Sequence, residues 1–271
     1  MKRLPLIIII FSVALGCANA QERHYSYKTL SFADNRYESV TSDIQGNLYL
    51  TAGSNLDFFS PDESLHLNYS DPSWGNITRV DANIASKILV FYRESGTIVL
   101  LDNTLSPINA PLNLFEKSLM TVNLAAMGNP NKMVLYDEAN QDLLITDLSL
   151  NVLTRTHITF PGEFHPTDLQ VVPEHRIALL DTINGICLFD FFGTFEREIP
   201  IPNIKSMQLE KDGIIYLQNH QIFHYRMPSI KTPLREPAII FSSSRIKDFN
   251  INSGGLYYID DQGHIFCLSE K

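Results

Sequence analysis

Apolar residues along this chain come in short, dense runs, and the runs repeat. GNLYL (46–50) returns in altered form as KILVF (87–91), KMVLY (132–136), RIALL (176–180), IIYLQ (214–218) and GLYYI (255–259). With Tyr49, Leu89, Val134, Ala178, Tyr216 and Tyr257 taken as equivalent, the spacings are 40, 45, 44, 38 and 41 residues. After each run comes a polar turn: AGSN, RESG, DEANQ, DTING, QNH or DDQG. A second apolar run then follows, as LDFFS (56–60), TIVLLD (97–102), LLITDL (143–148), GICLFDF (185–191), QIFHYRM (221–227) and HIFCLSE (264–270). The turns supply the Gly, Asn and Asp that tight β-turns need for positive φ or for side-chain hydrogen bonds.

An alternating segment precedes each pair, as in YESVTSD (37–43), TDLQVV (167–172), IKSMQLE (204–210) and IKDFNIN (246–252). A weaker fourth segment comes after it, as in SLHLNY (64–69), NVLTRTHI (151–158) and TFEREIPI (194–201). Four antiparallel strands in a unit of roughly 40 residues describe a propeller blade. A blade buries both its faces only against its neighbours, so its middle strands must be apolar throughout. No segment sustains a helical period over ten or more residues, so α content should be near zero. The fold class expected is all-β: a six-bladed β-propeller of four-stranded antiparallel blades. The sixth copy stops at HIFCLSEK, one strand short, while HYSYKTLSF (24–32) alternates ahead of blade one. That N-terminal strand is expected to complete the last blade and close the ring.

The chain opens MKRLPLIIIIFSVALGCANAQ, a basic start followed by an apolar stretch too short to span a bilayer. This is the pattern of an export signal over residues 1–20, with one propeller domain over 21–271. Ala18-Asn19-Ala20 suits ordinary signal cleavage before Gln21. Ala14-Leu15-Gly16-Cys17 suits a lipoprotein signal that would leave Cys17 lipidated. Both readings deliver the protein to the periplasm, the outer membrane or the cell exterior. No second apolar stretch is long and charge-free enough to span a membrane.

There are 21 basic residues against 30 acidic ones, a net charge of −9. Lys2 and Arg3 belong to the leader, so the exported part is more acidic still. Such a surplus disfavours nucleic acid and anionic membrane surfaces as partners. Beyond the leader only Cys187 and Cys267 remain, neither in a C-x-x-C pair. They are expected as two separate buried thiols, although the compartment would permit a disulfide.

The stretches SDIQGNLYLTAGSNLDFFSPD (42–62) and LEKDGIIYLQNHQIFHY (209–225) resemble the six-bladed propellers of the NHL and SMP-30/gluconolactonase group. They share its cadence of an Asp-Gly turn, an apolar-Tyr strand and a second strand ending in an aromatic residue. Copies two to four depart from it, and blade two reads ANIASKILVF where the Asp-Gly turn would be. SKILVFYRESGTIVLLDN is also similar to the second repeat of a group of secreted bacterial propellers. The resemblance implies the fold and not an activity.

Chemistry is sparse. The glycine spacings of nucleophile elbows, dinucleotide folds and phosphate loops are absent, as is H-E-x-x-H. His220 and His224 straddle a turn, and His157 and His165 flank a Pro-Gly loop, so neither pair reads as metal ligands. Asp43, Asp137, Asp181 and Asp212 sit at turns, where Asp bonds its own backbone. Polar residues at the start of innermost strands are another matter, because those strands line the central channel. The candidates are Glu38, Asp168 and Asp248, with Asn203 and Lys205 nearby. In SMP-30-like lactonases a Glu, an Asn and an Asp so placed hold one divalent metal, which polarises an ester carbonyl. Trp74, Arg36 and Tyr37 are candidates for a binding surface, since aromatic and Arg side chains anchor interfaces. For Trp74 the competing reading is packing across a blade junction.

No residue stands out as catalytic or cofactor-binding. The function expected is therefore a monomeric binding or scaffolding module with a protein partner at the cell envelope. The alternative is a metal-dependent hydrolase or lactonase with one divalent cation at the channel. A quinoprotein-like cofactor binder would carry tryptophan-docking repeats, and the chain has one Trp.

Overall fold

The computed structural model describes residues 25–30, 37–84, 86–160, 162–228 and 236–270. Residues 1–20, expected to be an export signal, with Cys17, and Arg36, lie outside them. Among the described residues no helix is long and apolar enough to cross a membrane.

The described strands form six antiparallel sheets of four strands each. The innermost strands of blades one to six are Ser39–Ser42, Arg79–Asp81, Val122–Asn129, Asp168–Val172, Ile204–Leu209 and Ile246–Asn252. Within a blade the strands follow outwards in chain order, except at the last. There the outermost strand is Tyr25–Leu30, paired antiparallel with Ile265–Glu270 from Tyr25↔Glu270 to Leu30↔Ile265. The N-terminal strand closes the ring, as the alternation of residues 24–32 predicts.

Four strands went unread in the sequence. Two are the inner strands of blades two and three, Arg79–Asp81 and Val122–Asn129. The others are the outer strands of blades two and five, Leu112–Asn113 and Ala238–Ser242. Val122–Asn129 is buried along nearly its whole length, so both faces are apolar or small and no alternation shows. Leu112–Asn113 is too short to carry a period.

Each blade junction holds its own apolar cluster. In blade one Leu48 and Leu50 face blade six, while Tyr49 between them faces blade two. This is the period-two alternation of a strand buried on both sides. Between blades two and three, Leu89, Phe91, Ile98 and Leu100 meet Ala125, Met127, Met133, Leu135 and Leu144. Each of the larger side chains among them contributes about 1.5–3 kcal/mol on burial. At the closing junction Leu48, Leu50 and Phe59 meet Tyr257, Ile259, Ile265 and Cys267. Cys187 and Cys267 are both free and buried. They lie in blades four and six.

The turns repeat as well. Asp43, Asp102, Asp147, Asp190 and Asp260 each accept through one carboxylate oxygen from the N–H groups two and four residues on. In each, the N–H three residues on bonds the Asp carbonyl. That third position takes a positive φ, as at Gly46, Gly193 and Gly263, or at Leu105 and Leu150. The structural role of turn aspartates is thus built from local geometry. Arg93-Glu94-Ser95-Gly96 is a plain hairpin turn, closed by the Gly96 N–H to the Arg93 carbonyl at 3.1 Å. Gly96 has φ +60°, and a Cβ there would lie 2.5 Å from the Phe115 ring.

Candidate functional site

Every inner strand begins with the same irregularity. In blades three, five and six one extra residue interrupts the pairing: Asn123, Lys205 and Lys247. In blades one, two and four the equivalents are Glu38, Thr78 and Thr167. Their N–H groups bond Thr51, Phe91 and Leu180, the residues that also pair with the next position. Such bulges re-aim side chains at the rim of a sheet. The ring has a first tier of Glu38, Thr78, Asn123, Thr167, Lys205 and Lys247. All but Asn123 are exposed. The second tier is Ser39, Arg79, Leu124, Asp168, Ser206 and Asp248. Two residues further along each strand comes a fourth tier of Thr41, Asp81, Ala126, Gln170, Gln208 and Asn250.

Four of the fourth-tier side chains strap their blade to the next. Gln170 of blade four accepts from the Leu209 N–H at 2.8 Å and donates to the Met207 carbonyl of blade five. Gln208 of blade five repeats this on Ile251 of blade six, at 2.7 Å and 2.6 Å. Asn250 of blade six accepts from the Ser42 hydroxyl of blade one at 2.5 Å. Asp81 of blade two accepts from the Met127 N–H of blade three at 2.9 Å. An inner strand has no sheet partner on its channel edge, and these side chains satisfy backbone groups left over there.

The second tier carries the charge. Arg79 donates to Asp168 across blade three, in a largely buried ion pair, and Gln170 also donates to Asp168 at 3.0 Å. Asp248 accepts from the Val40 N–H of blade one at 3.1 Å. Burial pushes the Asp248 carboxyl up to about 6, and the neighbouring Asp168 charge adds to the rise. Burial also raises Asp81, against the pull of Arg79. Perturbed carboxyls facing a channel are the kind of group that functional sites concentrate.

Three of the sequence candidates, Glu38, Asp168 and Asp248, therefore share one mouth of the channel, together with Lys205. They do not make a cation cage. Asp168 is held by a guanidinium, Asp248 by a backbone N–H, and Glu38 is exposed and accepts from the Gly53 N–H at 3.5 Å. No group of three or more His, Cys, Asp or Glu side chains suited to a metal occurs among the described residues. The fixed positive charge of Arg79 beside Asp168 disfavours a divalent ion at that carboxylate.

Tyr37 is not a surface anchor. It is 3% exposed and lies in the closing cluster, its hydroxyl donating to Asp57 at 3.1 Å. Trp74 is half-buried against the cluster between blades one and two. Its carbonyl accepts from Ser95 at 2.9 Å, so it braces the Arg93–Gly96 turn. Sequence reasoning missed Arg79, Lys247 and the strap residues. The signal for some of them was present: IKSMQL (204–209) and IKDFNI (246–251) match position for position, placing Lys beside Lys and Gln beside Asn.

Two cavities lie near these rings. The end of the channel away from the first tier opens into about 330 Å³ lined by Ser42, Arg79, Asn83, Gln170, Gln208 and Asn250. A larger one of about 880 Å³ separates blades five and six, where Glu210 and Glu236 oppose Arg226 and the apolar wall includes Ile215 and Phe241. His224 there stands 3.6 Å from Glu210, and burial lowers its pKa.

No protein-family model matches the chain, and no curated protein is matched by its sequence. Solved structures do match. Virginiamycin B lyase from Staphylococcus aureus superimposes with a TM-score of 0.60 at 10% identity, over 92% of this chain and 100% of that one. A streptogramin B lyase gives 0.60 at 10% identity, over 91% and 98%. The WD40 β-propeller domain of Doa1 gives 0.60 at 11% identity, over 92% and 98%. At such identities the likeness carries the propeller fold alone.

Proposed function

We propose that the protein is an exported, monomeric binding module, and that it takes a ligand or an envelope protein partner at the channel mouth framed by the first tier. The observation that supports this is the state of the channel carboxylates. Asp168, Asp248 and Asp81 are each held by a neighbouring strand or guanidinium, whereas the exposed first-tier side chains are not needed to hold blades together. Acids tied into the scaffold are poorly placed to act as bases or metal ligands. Lyases and WD40 domains share the fold, so the fold itself does not choose between catalysis and binding. The NHL-like cadence of residues 42–62 and 209–225 supports the blade assignment and carries no metal set with it.

The test has two arms. Metal analysis of the purified protein should find no stoichiometric divalent ion. One ion per chain, lost in Asp168→Ala or Asp248→Ala, would overturn the proposal in favour of a hydrolase. In the second arm, cross-linking from photoreactive residues at Thr78 and Thr167 in intact cells should capture one envelope component, and the same residues on the outer strands should not.

A further inference from the structure

We infer that Lys205 and Lys247 form an oxyanion site at the channel mouth, which receives the carboxylate or phosphate group of the ligand. This rests on the binding-module reading and names its chemistry. The two lysines occupy the same bulge position in consecutive blades, each one residue into an inner strand. Both side chains are exposed, and among the described residues neither makes an ion pair.

The acids that might have neutralised them are otherwise placed. Asp168 is bound by Arg79, and Asp248 accepts from the Val40 N–H. Glu38, next around the ring from Lys247, makes no ion pair with it and leans on the Gly53 N–H. Thr167 adds an exposed hydroxyl on the other side of Lys205. Elsewhere the protein is strongly acidic, with a net charge of −9. An anion is repelled from most of such a surface and drawn to the place where two exposed cations have no ion-pair partner among the described residues. The bulge matters because it fixes the two backbones from which the ammonium groups start. Two donors on rigid strands lose less freedom on binding than lysines on loops.

Titration calorimetry of the mature protein with inorganic phosphate and with succinate, at constant ionic strength set by sodium chloride, tests this. Saturable binding of at least one anion is expected, and the better of the two identifies the group. Lys205→Gln with Lys247→Gln should weaken it at least about tenfold, as the loss of two charge-assisted hydrogen bonds implies. The double Arg replacement should retain binding, and Thr154→Val, on the exposed outer strand of blade three, should leave it unchanged. Unfolding temperatures in anion-free buffer should match across all these variants. No saturable binding of either anion, or binding by the Gln variant equal to wild type, would overturn the inference. If a captured envelope partner binds wild type and the Gln variant equally, the binding-module reading stands and the lysine site falls. If the wild type holds neither anion nor partner, both fall.

Discussion

Arg79 of blade two bonds Asp168 of blade four, passing over blade three altogether. The reason lies in blade three itself. Its second- and fourth-tier residues are Leu124 and Ala126, which pack into the apolar cluster shared with blade four. Blade three offers no polar side chain at these two tiers, and the guanidinium bonds the next blade instead. Both side chains keep under a fifth of their surface in water, at 19% and 15%.

Replacing Arg79 by Met should therefore destabilise the ring by about 2–4 kcal/mol, because it leaves the Asp168 charge largely desolvated and without its counter-ion. Urea denaturation measures it. Adding Asp168→Leu to Arg79→Met should recover much of the loss, since the uncompensated charge is gone. A double variant no more stable than the single one would show that the arginine acts through packing and not through its partner.

The straps give a second expectation. Gln170→Leu removes three hydrogen bonds, one of them to Asp168, and Gln208→Leu removes two; each leaves a backbone N–H and a carbonyl without that partner. Each should cost about 1–3 kcal/mol. Gln→Glu should be worse than Gln→Leu at either site, because a carboxylate would face the Met207 or Ile251 carbonyl. Denaturation of the four variants checks the ranking, and a Glu variant as stable as wild type would contradict the strap geometry.

How much of this the sequence discloses follows from burial. The two middle strands of blades one to four are buried on both faces, and those of blades five and six keep the same apolar pattern, so they appear as dense apolar runs at a 40-residue period, and the blade count could be read from them. The inner strands are legible only where one face meets the channel. Asp168–Val172 and Ile246–Asn252 alternate, and both were visible. Val122–Asn129 has small or apolar residues on both sides and was not. The site divides in the same way. Glu38, Asp168 and Asp248 could be named as polar residues at strand starts. Arg79 could not, because its partner stands 89 positions away and its strand has three residues. Tyr37 was misjudged because a tyrosine beside an arginine looks exposed in one dimension, while its hydroxyl is buried on Asp57.

Closure of the ring should make stability a property of the whole molecule. Deleting residues 24–32 removes the outer strand of blade six and bares the edge of Ile265–Glu270. The unfolding transition should stay single and move down by several degrees, because every blade depends on both neighbours. A deletion that left the unfolding temperature unchanged, or that split the transition in two, would contradict closure by this strand.

The cysteines should be chemically silent. Burial pushes the Cys187 thiol up to about 12, with Glu198 and Asp181 adding to the rise. The thiolate is the reactive form, so almost none is present near neutral pH. An aromatic disulfide reagent should leave Cys187 unmodified in the native state and modify it at once in denaturant. Rapid native labelling at pH 7.5 would show that blade four opens far more readily than its packing implies.

Asp248 makes one contribution to the dependence of stability on pH. Its carboxyl rises from 3.8 to about 6 in the folded protein, mainly by burial, with Asp168 opposing its charge from blade four. Ser206 and the Val40 N–H pull the other way, and Lys247 stands next to it in its own strand. Between those two values the folded state holds the proton and the unfolded chain has released it. The contribution of Asp248 to stability therefore falls as pH rises through this window, and its whole deficit is present above pH 6. A rise from 3.8 to about 6 corresponds to roughly 3 kcal/mol, an upper bound for a group that keeps some contact with water. Asp248→Asn keeps an acceptor for the Val40 N–H and removes the titration. It should unfold at a higher temperature than wild type at pH 7.5, with the advantage shrinking through pH 5 and gone below pH 4. A variant less stable than wild type at pH 7.5, or an offset that does not change with pH, would mean that the ionised carboxylate supports the ring.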